Sequence, residues 1–310
     1  MKATFFSITV LFAVLNISCN DDNPQTDNEN INLNGNFVFQ KVSTHTLRTA
    51  DVNSLQNLKS YGDALSYTRP IWSDDGTKFA AIDLISSVET GSTSVFAIKI
   101  VNTGDESVTT WEIGSSVHIY LVGPLTWSPD GHTIAFLANP YNKIIYLNTS
   151  NGDTTQTKLL LDMYEGVTAL AWHPDSNKIA VNLRHWQNYQ SDNRICMIDP
   201  YGTKLNNSIP VVSGTFGIAH MDWDKDGTKL LLSHDLYNDI YVLNINTGQF
   251  KEIPNAYGLA PCWSPDGMYI LYTGISGHRG LDIIPGLIVT DIEGSFEKIL
   301  LTDAGYCDWY

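Results

Sequence analysis

The sequence predicts an all-β fold: a six-bladed β-propeller of four-stranded blades, closed by pairing of its N- and C-terminal segments. Three observations carry this. One tryptophan-centred unit recurs six times, each complete copy is followed by short apolar strand-like runs, and glycine-bearing turns separate those runs. The composition fits, with 43% hydrophobic residues for a sizeable core, 23 Gly and 12 Pro for turns, and 11% aromatics. The 310 residues then divide into a signal peptide (1–18), an acidic, Asn-rich tether (19–35) and one propeller domain (36–310).

The repeat is visible by eye. Ile71-Trp72-Ser73-Asp74-Asp75-Gly76, Thr126-Trp127-Ser128-Pro129-Asp130-Gly131, Ala171-Trp172-His173-Pro174-Asp175-Ser176, Asp222-Trp223-Asp224-Lys225-Asp226-Gly227 and Cys262-Trp263-Ser264-Pro265-Asp266-Gly267 align without gaps. A sixth copy starts at Cys307-Asp308-Trp309-Tyr310. Six of the eight tryptophans thus share one position, 40 to 55 residues apart, close to the spacing of propeller blades. After each complete copy comes turn chemistry. The acids Asp75, Asp130, Asp175, Asp226 and Asp266 bond their own backbone, proline presets φ, and glycine accepts positive φ.

Near-continuous apolar runs follow, such as Phe79 to Ile82, Ile134 to Leu137 and Ile270 to Tyr272, as strands buried on both faces require. A third strand (Val95 to Ile100, Ile144 to Leu147, Arg194 to Ile198) and a fourth (Val108 to Trp111, Lys298 to Leu301) complete a blade. The Trp-Ser-Pro-Asp-Gly unit resembles the repeat of the TolB-like (WD40-like) six-bladed propeller family, over roughly residues 65 to 310. The resemblance implies a cell-envelope setting; the Tol–Pal partnership is not carried over. The last copy supplies only an innermost strand, Gly305 to Tyr310, so Phe37 to Val42 and the segment to about Leu58 are expected to complete its blade.

The N-terminus reads as an address. Met1-Lys2 precedes the apolar run Thr4 to Leu15, too short to span a membrane and ordered like a secretory signal. Leu15-Asn16-Ile17-Ser18-Cys19 resembles a bacterial lipobox, although Asn16 stands where an aliphatic residue is usual. That resemblance implies lipidation (palmitate) of Cys19 and a membrane-anchored outer-membrane lipoprotein, periplasmic or surface-exposed. Asn20-Asp21-Asp22 after the cysteine resembles the surface-export signal of Bacteroidetes lipoproteins.

Charge and cysteine usage exclude several functions. Thirty-three acidic against 18 basic residues give −15, which opposes binding to nucleic acid or anionic lipid headgroups. Cys196, Cys262 and Cys307 form neither a Cys-x-x-Cys pair nor a zinc pattern; a Cys262–Cys307 bridge stays open. Asp222-x-Asp224-x-Asp226-Gly227 imitates the start of a calcium loop, but position twelve is Ser233 and the acids belong to the repeat turn. No cofactor and no metal are expected, and the chain reads as a monomer.

Function is expected on the face with the longer second-to-third-strand loops and interblade links: Ser86 to Ser92, Arg184 to Asn193, Gly274 to Pro285 and Gly114 to Pro124. Arg69, His220 and Tyr306, each three residues before a repeat tryptophan, should lie near its channel mouth. Arg184, His185, Trp186, Tyr189, His278 and Arg279 add basic and aromatic groups, with His118 and Asp308 completing the candidate face. The favoured function is non-catalytic binding of a protein, peptide or glycan. The alternative is a polysaccharide enzyme with histidines or a metal at the channel mouth. It would be favoured if three or more of Arg69, His118, His185, His220, His278 and Asp308 converged. No Gly-x-Ser-x-Gly elbow or phosphate-binding glycine loop is present.

Overall fold

The computed structural model describes residues 33–55, 58–63, 69–87, 94–115, 125–138, 143–159, 165–174, 178–187, 190–205, 208–214, 217–234, 238–279 and 282–310. The anchor cysteine Cys19, the signal and all but the end of the tether lie outside the described residues, as do His118, Asp175 and Tyr189. The described chain forms 24 β-strands in six four-stranded antiparallel sheets: a six-bladed β-propeller.

Blade one opens with β1 (Asn36–Lys41), β2 (Thr46–Asp51) and β3 (Lys59–Asp63). Blade two is β4 (Ile71–Trp72), β5 (Lys78–Ser87), β6 (Ser94–Asn102) and β7 (Val108–Ser115). Blade three is β8 (Thr126–Trp127), β9 (Thr133–Ala138), β10 (Lys143–Asn148) and β11 (Thr154–Lys158). Blade four is β12 (Glu165–Trp172), β13 (Ile179–Gln187), β14 (Gln190–Ile198) and β15 (Ile209–Gly214). Blade five is β16 (Ile218–Trp223), β17 (Lys229–His234), β18 (Asp239–Asn244) and β19 (Phe250–Tyr257). Blade six is β20 (Leu259–Trp263), β21 (Tyr269–Arg279), β22 (Asp282–Asp291) and β23 (Lys298–Thr302). The last strand, β24 (Ala304–Trp309), returns to blade one and pairs with β1, matching Phe37 with Trp309 and Lys41 with Ala304. The backbone N–H of Tyr310 then donates to the Asn36 carbonyl at 2.7 Å. The expected closure is what forms.

The tryptophan-bearing strand of every blade lies beside its counterparts in the neighbouring blades, so these six strands line the channel. Between blades, apolar side chains from facing sheets fill the seams. Ile82, Ile98 and Ile100 of blade two meet Leu125, Trp127 and Phe136 of blade three; Ala169 and Met197 of blade four meet Met221 and Leu232 of blade five. Each fully buried Leu or Ile contributes about 1.5–3 kcal/mol. The turns work as their residues require. Ser128 Oγ donates to Asp130 at 2.5 Å and accepts the Thr133 N–H at 2.9 Å, while Gly131 adopts φ 68°. Blade five has Asp224 in place of the serine, and its carboxylate accepts the N–H groups of Thr228 and Lys229.

One expectation needs correction. Arg184 to Asn193 and most of Gly274 to Pro285 are not loops but the ends of long hairpins, paired to Gln187↔Gln190 and Arg279↔Asp282; the β5–β6 hairpin is likewise paired to Ser87↔Ser94. Polar side chains there suggested loop, but cross-strand backbone pairing continues regardless of side-chain polarity once a hairpin is started. The long hairpins belong to blades two, four and six. Their second strands reach the fifteenth or sixteenth residue after the tryptophan, against the eleventh in blades three and five. Four or five extra residues extend a strand by about 15 Å.

Candidate functional site

The residue before each tryptophan alternates in kind around the channel. Blades one, three and five carry Asp308, Thr126 and Asp222; blades two, four and six carry Ile71, Ala171 and Cys262. Each polar side chain accepts the backbone N–H of the next blade's tryptophan. Trp72 donates to Asp308 Oδ2 at 2.7 Å, Trp172 to Thr126 Oγ1 at 2.8 Å and Trp263 to Asp222 Oδ2 at 2.9 Å. The indole N–H groups of Trp127 and Trp223 donate to the Ile71 and Ala171 carbonyls, both at 3.2 Å. The ring thus repeats in pairs of blades, the same pairs that set the long hairpins.

Arg69 sits at the centre of this arrangement. Its side chain is 3% exposed; Nε donates to the Cys307 carbonyl at 3.1 Å, and one terminal nitrogen reaches Asp308 Oδ1 at 2.6 Å and Asp222 Oδ1 at 3.2 Å. Burial opposes its charge, yet Asp308 and Asp222 hold the guanidinium above its ordinary pKa. One cation serves two carboxylates. Burial therefore pushes the more loosely held Asp222 up to about 7, against the pull of Arg69 and with Asp308 adding to the rise. His220 lies within reach of the same field, and burial together with Arg69 lowers it to about 3, so it is neutral. Its Nδ1 has no hydrogen-bond partner among the described residues.

Above this ion-pair layer is a cavity of about 430 Å³, on the side of the Pro-Asp-Gly turns. All six repeat tryptophans contribute to its wall, with Pro174, Pro265 and Tyr310. Asp74 and Lys225 also line it, each two residues after its tryptophan, on blades two and five. Partial burial, Asp308 and Asp75 raise Asp74 to about 6.

Of the residues singled out from sequence, Arg69 and Asp308 meet directly and His220 falls within their electrostatic reach. Tyr306 stands in β24 at φ 50°, its N–H donating to Thr273 Oγ1 at 2.7 Å. Arg184 and His185 lie on β13 of the blade-four hairpin, away from these channel contacts, and Arg184 packs over Gly217. Trp186 falls on the same strand, and His278 and Arg279 on β21, placed here by their strands alone. Among the described residues no three His, Cys, Asp or Glu side chains gather to hold a metal ion. Cys196, Cys262 and Cys307 are free thiols. The sequence marks Asp222 only within a calcium-like spacing and does not mark Thr126, Asp74 or Lys225, although each departs from its neighbours at the same repeat position.

No family model matches the chain. A curated relative, the uncharacterized peptidase YuxL of Bacillus subtilis (strain 168), is 25% identical over 212 residues, 67% of this chain. The chain spans only 29% of that protein's length. Among solved structures, TolB from Acinetobacter baumannii superposes with a TM-score of 0.63 at 20% identity, covering 89% of this chain and 66% of TolB. A chain of the nidogen/laminin complex gives 0.59 at 12% identity, over 88% of this chain and 97% of its own. Both likenesses show the fold.

Proposed function

We propose that the protein is a non-catalytic binding module of the cell envelope, held to the outer membrane through a lipid on Cys19. Its partner, a protein, peptide or glycan, is gripped by the three long hairpins of one face. The alternation of hairpin length carries this reading: blades two, four and six each extend about 15 Å beyond their neighbours. Three prongs around a channel mouth make a concave seat on a rigid scaffold. The prongs of blades two and six also expose apolar side chains, Ile85 (46%), Ile275 (51%) and Ile283 (39%), and the blade-four prong carries Arg184 and His185. A binding role fits better than chemistry because Arg69 and Asp308 spend their hydrogen bonds on each other, on Asp222 and on the backbone.

Photo-crosslinking in intact cells tests this. A crosslinking amino acid at Ile85 or Ile283 should trap a partner, whereas one at the exposed Met268, in a turn of the opposite face, should not. Adducts only from Met268, or none from the prongs, would reject the assignment. Incorporation of an alkyne fatty acid, abolished by Cys19→Ser, is the expected signature of the anchor.

A further inference from the structure

The cavity on the turn side has chemistry that the prong-face reading does not use. Its floor is closed by Arg69, which spans from blade two to Asp222 on blade five, so a ligand enters from the turn face and stops there. The acids near the floor are satisfied. Asp222 and Asp308 are bonded to Arg69 and to tryptophan N–H groups, and Asp224 is bonded within its own turn. Asp74 and Lys225 differ: neither has a hydrogen bond or ion pair among the described residues.

Their positions are equivalent in the repeat. At that position blades three, four and six have Pro129, Pro174 and Pro265. The two blades that depart from proline carry opposite charges, and in a ring of six, blades two and five are diametrically opposed. The mouth therefore presents a free carboxylate and a free ammonium across the channel axis, with indole and proline walls between them.

We infer that this cavity binds a short zwitterionic peptide, its α-ammonium on Asp74 and its α-carboxylate on Lys225, with apolar side chains against the tryptophans. A volume of about 430 Å³ lies at the small end of ligand pockets and excludes a folded partner. A free amino acid has its ammonium and carboxylate attached to one carbon, side by side. A dipeptide, extended to about 7 Å, separates them. Binding to Asp74 needs its ionised form.

Tryptophan fluorescence of the full-length protein reads this directly, since six indoles line the site. The probes are alanyl-phenylalanine, its N-acetyl derivative and its C-terminal amide at pH 7.5. The free dipeptide should saturate the signal below about 10 mM, and either blocked form should bind roughly ten-fold more weakly. Asp74→Asn should lose the discrimination against the acetylated peptide alone, and Lys225→Gln that against the amide alone. Both variants should stay folded: Lys225→Gln should keep the wild-type melting temperature, and Asp74→Asn should melt no lower at pH 7.5, because it removes a carboxylate whose charge the fold disfavours. Failure of the free dipeptide to saturate, equal binding of the blocked forms, or unchanged discrimination in the folded variants overturns the assignment. Prong crosslinking is unaffected by either result, so the two proposals fail separately.

Discussion

Arg69, leading into blade two, donates to Asp222 on the diametrically opposite blade five at 3.2 Å. A single side-chain pair therefore braces the ring across its diameter, and Asp308 of blade one completes the brace. The geometry makes Arg69 a tie as well as a plug.

Removing the tie should be costly. Arg69→Met leaves Asp222 and Asp308 facing each other in a buried layer without a cation, and breaking such a pair costs about 3–5 kcal/mol. For a domain of this size that lowers the melting temperature by roughly 10 °C. Adding Asp222→Asn and Asp308→Asn should recover part of the loss, measured by calorimetry.

Stability should rise as the pH falls from 8 towards 5. Asp222 and Asp74 are raised to about 7 and about 6 in the folded protein, so the folded state binds protons that the unfolded chain, with ordinary carboxylates, does not. Below about pH 6.5 the rise is partly offset by His220, which the fold keeps neutral down to about 3 while the unfolded chain protonates it. Below the ordinary carboxylate range the trend reverses as Asp130, held low by Ser128 and by the His132 N–H, takes up its proton. Thermal melts from pH 3 to 8 should show a maximum near pH 5. Asp222→Asn should flatten the limb between pH 6 and 8.

The alternation in the channel is testable at Thr126. Thr126→Val keeps the shape but removes the acceptor of the Trp172 N–H, at a cost of about 1–3 kcal/mol. Hydrogen exchange at the Trp172 amide should speed up more than at the Trp127 amide. Equal acceleration at both would mean that the bond does not matter locally.

Deleting residues 306–310 removes most of β24 and exposes the edge of β1. The whole propeller should melt earlier and bind dyes that report exposed apolar surface. An unchanged melting temperature would mean that blade one is dispensable to the ring.

Much of this architecture was legible because each blade restates the same local chemistry. Trp127, Ser128, Asp130 and Gly131 form their turn with bonds spanning five residues or fewer, and such bonds leave a pattern in any window of the chain. The site was legible only in part. The offset of Arg69 from a tryptophan places it at the channel, with Asp308 on the same candidate face, but as residues of an open mouth rather than as a buried pair. The partner that decides this, Asp222, is 153 residues away and had been read as part of a calcium-like spacing. Asp74 and Lys225 carry no signal within their own repeats, because their opposition across the channel exists only once the ring sets blade two opposite blade five. The lengths of the hairpins escaped notice because pairing from Arg184↔Asn193 to Gln187↔Gln190 rests on backbone bonds, which side-chain polarity does not announce.

The pairing of β24 with β1 also orders events in time. Phe37 and Trp309, matched across one sheet, come from opposite ends of the ring, and contacts so distant in sequence form late. Until the final strand arrives, the other five sheets are complete but the circle stays open, with the edge of β1 available to any other strand. Assembly thus contains its own checkpoint: only a chain extended through β24 withdraws that edge.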